Sequence, residues 1–281
     1  MQRSTRVARR ISRTLLRREL LDKTERLTLD DGGHGYDLFG AHRDWVAFAI
    51  ALFGGLYERY FRVRSYGAHH IPKDGAAILA ANHSGTLPFD GTMLFSDVVR
   101  QTDPPRLPRA VADTFVPGLP GVGTFFSRVG VVGGSRLNVE TLLERGELLM
   151  IFPEGTPGIG KPFKERYRLQ HWREGHAELA IRHRAPVVPV AIIGAEEQMP
   201  QIARIEGLRL FGAPYLPVPL TLLPFPVRYH IHYGEPIPLH EEFSPDDADD
   251  PEIVRNAAAR VKAAVQALLE RGLSERKGIF R

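Results

Sequence analysis

The chain has no cysteine. Disulfides, thiolate nucleophiles and cysteine-ligated zinc are therefore excluded, and the composition fits a reducing compartment. It also lacks any apolar run of about 18 residues, so no ordinary membrane-crossing helix is expected. No apolar stretch follows the basic residues at the start, as a secretory signal would require. There is no Gly-x-Ser-x-Gly elbow for a serine nucleophile. Acidic residues are scarce at the start of the chain: Arg3, Arg6, Arg9, Arg10, Arg13, Arg17 and Arg18 face only Glu19 in the first 20 positions.

What is present reads as one large domain with an appendage, with enough apolar residues for a sizeable core. Residues 4–21 predict a basic amphipathic helix with Val7, Ile11, Leu15, Leu16 and Leu20 on one face. Such a helix suits an anionic lipid surface, nucleic acid or a packing role. Residues 31–40 are a glycine-rich break, so 1–40 forms a basic arm. The apolar run Trp45–Tyr57 predicts a helix within 41–59, either buried or lying in a membrane interface.

From Tyr60 to Arg281 the pattern is α/β. Phe61–Arg64 alternates like a strand. Ala76–Ala81, Leu148–Phe152 and Val187–Ile193 are continuous apolar runs, expected of strands buried on both faces. Short strands are predicted at 129–132 and 227–233. Helices are predicted at 90–99, 139–145, 176–184 and 251–270, with helical pieces over 108–127. Gly272 reads as the stop of the last helix. Five prolines make residues 207–226 an irregular apolar loop, of the kind that marks a ligand or membrane surface when exposed.

Three stretches carry chemistry. Asn82-His83 ends a buried strand, and Asp90 follows a few residues on. The histidine is either a loop residue beside a helix-capping carboxylate, or a general base whose tautomer the carboxylate fixes. Asp97 is a second, more distant partner for it. Gly130–Arg136 combines close-approach glycines with a forked cation suited to phosphate or carboxylate. Phe152-Pro153-Glu154-Gly155-Thr156 ends another buried strand, and ligands of α/β sheets gather at such ends. Gly155, Gly160 and Lys161 fit a phosphate-cradling loop, but Pro162 stands where magnesium needs a hydroxyl and Pro157 lacks an N–H, so a nucleotide is not expected. Lys161, Lys164, Arg166 and Arg168 form a basic stretch. His230 and His232 share a strand face, but no third ligand accompanies them, so no metal is expected.

These blocks, in this order and with Ala185-Pro186-Val187-Val188-Pro189-Val190 behind them, resemble the glycerolipid acyltransferases over roughly 60–234. The stretch 160–169 and Gly194-Ala195-Glu196-Glu197 look more like the branch that makes neutral lipids. The resemblance implies a mixed, largely parallel sheet flanked by helices, preceded by a helical membrane-associating segment. It implies His83 and Asp90 as catalytic residues, with Arg136, Glu154, Gly155, Thr156 and Lys161 binding substrate. Backbone N–H groups near Gly85 or Gly155 would hold the oxyanion. The family pattern places its aspartate at position 88, where this chain has Pro88.

The implied reaction moves an acyl group from acyl-CoA or acyl-carrier protein to a lipid hydroxyl, with no cofactor beyond that co-substrate. The acceptor is a lysophospholipid or, alternatively, diacylglycerol or a long-chain alcohol. A hydrolase and a non-enzymatic membrane-surface protein are the other readings. A membrane surface, a lipid acceptor, a thioester donor and acyl carrier protein are the expected partners, and nucleic acid is not. The expected location is the cytoplasmic face of a membrane, peripheral or monotopic.

Overall fold

The computed structural model describes residues 2–85, 87–113, 116–118, 120–206 and 215–281. The basic arm is two helices rather than one, α1 (Gln2–Leu15) and α2 (Arg18–Glu25), parted by the extended Arg17. The break lets α1 lie along α3 (Arg43–Gly55) while α2 also reaches α4 (Phe89–Gln101). The buried positions are Ala8, Ser12, Leu20 and Thr24, whereas Val7 and Leu15, expected on the apolar face, are exposed. Small residues permit the close helix approach that the larger ones would prevent.

The glycine-rich break at 31–40 is tied down by one side chain. Asp37 accepts hydrogen bonds from the Phe39 and Ala41 N–H groups at 2.9 and 2.7 Å, and pairs with the fully buried Arg109 at 2.5 Å. Helix α3 turns Val46, Ala49 and Ile50 into the main core, so this apolar run is used for packing. Among the described residues no helix is long and apolar enough to cross a membrane.

The strands are β1 (Arg64–Tyr66), β2 (Ala77–Ala81), β3 (Pro108–Ala112), β4 (Val132–Gly133), β5 (Leu148–Ile151), β6 (Val187–Ile193), β7 (Gln201–Glu206), β8 (Tyr215–Pro219) and β9 (His230–Tyr233). Seven form a sheet in the order β1-β9-β6-β2-β5-β3-β4. The β6-β2-β5-β3-β4 part is parallel, and β9 runs antiparallel to β6. Strand β5 slots in between β2 and β3, and β6 lies on the other side of β2. The connections diverge at β2, which puts a crevice at its carboxyl end. Every residue of β2 is buried. Leu79 and Ala81 join one core with α3 and α4. Ile78 and Ala80 join a second with α5 (Val122–Val129) excluded and α6 (Arg136–Glu144), α8 (Gly175–Arg182) and α11 (Pro251–Glu275) included. The short helices α7 (Thr156–Ile159), α9 (Ala195–Gln198) and α10 (Leu239–Glu242) sit in connections.

Several expectations need correction. Arg62 takes a left-handed backbone (φ 46°), which turns the chain and moves the first strand to Arg64. The stretch 108–127 holds a strand, β3, because Pro108 occupies its first position, where a missing donor is tolerated, and Arg109 finds its counterion in Asp37. Val129 ends α5, and Gly130 (φ 95°) stops it. Tyr215–Pro219 is a strand after all, paired antiparallel with β7 in a separate two-stranded sheet, where prolines need not donate. Of the expected irregular loop, 207–214 lie outside the described residues. Helix α11 runs on to Glu275, and Gly272 lies inside it. A Cβ there would come within 2.5 Å of Ile193 Cδ1, so this glycine serves close packing.

Candidate active site

The end of β2 is pinned by Asn82. Its buried amide accepts from the Ile192 N–H at 2.7 Å and donates to the Ile192 carbonyl at 3.0 Å, which locks the strand end onto β6. His83 follows. Its ring stacks on Phe152 at 4.3 Å, and its Nδ1 lies 2.6 Å from Asp90 Oδ2. The same carboxylate oxygen accepts the Ser84 N–H at 2.9 Å. Gly85, at φ 90°, turns the chain beyond the strand, and Asp90 in the first turn of α4 meets the histidine. A carboxylate only accepts, so Nδ1 carries the proton and Nε2 the lone pair. Among the described residues nothing hydrogen-bonds Nε2. Asp97, the more distant candidate, is buried elsewhere, accepting from the hydroxyls of Tyr57, Tyr233 and Ser65.

Beside β2, strand β5 ends in register with it, Ala80 opposite Ile151. This delivers Glu154 to the histidine loop. Its buried carboxylate accepts the His83 N–H at 3.0 Å through Oε1 and the Gln170 N–H at 2.7 Å through Oε2. Lys161 Nζ lies 3.6 Å from Glu154 and 3.1 Å from Glu196 Oε1. Glu196 in turn accepts the Tyr167 N–H at 2.9 Å. Burial pushes the Glu196 carboxyl up to about 7, against the pull of Lys161. Glu154 and Lys161 thus form a buried network under the base. Lys161 does not stand with the exposed Lys164, Arg166 and Arg168, and it faces two carboxylates rather than a phosphate loop.

Gly155 adopts φ 57°, ψ −148°, a conformation essentially restricted to glycine. Its N–H is taken by the Phe152 carbonyl at 3.0 Å, so it is not an oxyanion donor in this arrangement. Thr156 opens α7, half-buried. Gly158 lies so close beneath the histidine that a Cβ would sit 2.8 Å from the His83 carbonyl oxygen and 2.9 Å from Glu154 Cβ.

Arg136 stands apart from this group. It lies in the first turn of α6, after the capping Ser135, and pairs with Glu140 at 2.8 Å and with Glu178 of α8 at 2.7 Å. Another arginine is nearer. Arg173 donates its N–H to the Pro153 carbonyl at 3.0 Å, and its guanidinium carbon lies 3.5 Å from the Cβ position of Gly155. No motif marks Arg173, Gln170 or Gly158, which reach the site only through folding of the 155–173 connection. His230 and His232 are buried on β9 against Tyr66, and burial pushes both down to about 4. Among the described residues no group of three ligands for a metal occurs.

A buried carboxylate behind a histidine with one open nitrogen is an arrangement for taking a proton from a hydroxyl. Comparison with known proteins gives the family. A family model described as Acyltransferase matches residues 62–193, which include every catalytic and binding candidate. An uncharacterized protein of Mycobacterium tuberculosis is 38% identical over 267 residues, 91% of this chain and 74% of its own length. A DGAT1/2-independent enzyme synthesizing storage lipids from Gallus gallus is 28% identical over 84% of this chain and 67% of that protein. The crystal structure of the 1-acyl-sn-glycerophosphate (LPA) acyltransferase PlsC of Thermotoga maritima matches with a TM-score of 0.57 at 19% identity, covering 84% of this chain and 83% of that one. Its likeness extends to the fold, an α/β sheet, mostly parallel, flanked by helices. The histidine and glutamate blocks, the sheet that sets them side by side and these similarities together show that the chain belongs to the glycerolipid acyltransferase family.

Proposed function

We propose that this acyltransferase moves a fatty acyl group from an acyl thioester to a hydroxyl of a glycerolipid, with His83 as the general base. The observation that carries the reading is the 2.6 Å contact between His83 Nδ1 and Asp90 Oδ2, which leaves Nε2 to accept a proton. The acceptor oxygen attacks the thioester carbonyl as its proton passes to Nε2. Asp90 holds the imidazolium that forms. The tetrahedral adduct then collapses, the C–S bond breaks, and the proton on Nε2 passes to the departing sulfur. An ester and a free thiol result, and His83 returns to its starting state. Glu154 holds the base in place through the His83 N–H. The donor is acyl-CoA or acyl-carrier protein. A peripheral or monotopic place on the cytoplasmic face of a membrane would give the enzyme both substrates.

A second reading concerns the acceptor. Arg136, the cation that the family resemblance assigns to acceptor binding, is occupied by two carboxylates. This favours an uncharged acceptor, diacylglycerol or a long-chain alcohol, as does the similarity to storage-lipid enzymes. Incubation with labelled acyl-CoA and a panel of lysophospholipids, diacylglycerol and long-chain alcohols, with products separated by chromatography, tests both. Ester formed only on uncharged acceptors supports the second reading. Release of free fatty acid at the same rate with or without any acceptor rejects acyl transfer in favour of hydrolysis.

A further inference from the structure

Exposed leucines concentrate on one part of the surface. Leu222 is 89% and Leu223 is 78% exposed, and Leu220 and Ile202 are exposed close by in sequence and along the paired strands. Single exposed apolar side chains are ordinary, but a cluster of large ones is not. Its surroundings are also short of acid. Over residues 198–206 and 215–234 the one acidic residue is Glu206, against Arg204 and Arg228. A loop built only for water would carry more carboxylates.

The patch is coupled to the candidate active site by direct contacts. The Phe225 N–H donates to the Gln198 carbonyl at 2.7 Å. Gln198 Nε2 lies 3.0 Å from the Cβ position of Gly85, two residues past His83. On the other flank the Tyr60 hydroxyl donates to the Pro224 carbonyl at 2.6 Å. Arg62 donates to the Pro226 and Phe280 carbonyls at 2.7 and 3.2 Å, and the Phe280 ring is exposed. An apolar centre with Arg62 at its border, next to a site proposed for lipid chemistry, has the character of a bilayer-facing surface. The basic arm is less available, since Arg9, Arg13 and Arg17 pair with Asp44, Glu25 and Glu58.

We propose that Ile202, Leu220, Leu222, Leu223 and Phe280, with Arg62 at their edge, dock the protein on an anionic bilayer so that lipid reaches His83 from that side. The need for a membrane rests on the acyl-transfer reading, whereas docking is measured without turnover. The test is co-sedimentation of the full chain with vesicles of phosphatidylcholine alone and of phosphatidylcholine with phosphatidylglycerol. The Leu222→Asp/Leu223→Asp double variant should bind the anionic vesicles on the order of tenfold more weakly. Its unfolding midpoint should be unchanged, because both side chains lie in water. Arg6→Glu/Arg10→Glu in the arm should cost less. Equal vesicle binding by the leucine variant and the unaltered protein overturns the proposal, as does failure of the unaltered protein to bind or a larger loss in the arm variant. Leucine-dependent binding without acyl transfer would sustain the docking surface and reject the catalytic reading.

Discussion

Helix α4 carries two buried carboxylates seven residues apart, Asp90 and Asp97. Asp90 accepts from an imidazole and from the Ser84 and Gly91 N–H groups, and the far side of that imidazole makes no hydrogen bond among the described residues. Asp97 accepts from three hydroxyls, Tyr57 of the turn after α3, Ser65 of β1 and Tyr233 of β9. Burial pushes the Asp97 carboxyl up, and burial beside Asp97 pushes the Tyr57 and Tyr233 phenols up as well. That cluster fastens two strands and a helix together. The same side chain on the same helix thus meets a ring with one open nitrogen at one end and three hydroxyls at the other. The difference lies in the donor, an imidazole with a second nitrogen left open at Asp90 and hydroxyls at Asp97.

The sharpest way to break this contrast is to remove the proposed base. His83→Ala should lower acyl transfer by about 10²–10⁴-fold with the unfolding midpoint nearly unchanged, measured with labelled thioester and by thermal melting. Substantial residual turnover would sink the assignment of the base. The two aspartates come next. Asp90→Asn should reduce kcat by about a hundredfold or more at nearly constant KM. Asp97→Asn should instead cost stability, roughly 1–3 kcal/mol in urea unfolding, with kcat of the folded enzyme preserved. An Asp97→Asn variant that folds normally and loses kcat would reverse the comparison.

A smaller effect is expected where the two functions meet. Glu154→Gln keeps the shape but sets an amide N–H₂ against the Gln170 and Lys161 donors, leaving Lys161 short of one counter-charge. It should lower kcat about tenfold and also lower the melting temperature by a few degrees. A change in acceptor KM alone would mean that Glu154 touches substrate. A separate effect concerns pH. Burial holds His176, His230 and His232 at about 4. Between about 6.5 and that value the unfolded chain takes up protons that the folded chain refuses. Stability should therefore fall as pH drops through this window and return above it, as read from urea unfolding at fixed pH values. A flat profile would mean that these rings are protonated in place.

The sequence reveals elements wherever one physical signal dominates. Strands β2, β5 and β6 are apolar throughout because both sheet faces are covered, and their ends carry the site motifs. Strand β3 is hidden because Pro108 and Arg109 look foreign to a sheet until Asp37, 72 residues earlier, supplies the counter-charge. The arm misleads in part, because Ala8, Ser12 and Thr24 share its buried face with Leu20 while Val7 and Leu15 are exposed. At the site, His83 and Asp90 are legible as candidates, and their 2.6 Å contact is seen only in the fold. The bracing role of Glu154 and the burial of Lys161 are not legible, since both depend on where residues 155–170 return. Arg173 carries no local signature at all.

The clasp between Asn82 and Ile192 joins positions 110 residues apart. During synthesis the histidine therefore leaves the ribosome long before the strand that secures it exists. A nascent chain that stops short of β6 holds β2 with at least one open edge of five apolar residues, a template for unwanted pairing. Activity and solubility should accordingly appear together, late in translation, and chain-terminating lesions before Ile192 should yield aggregates rather than a weakened enzyme.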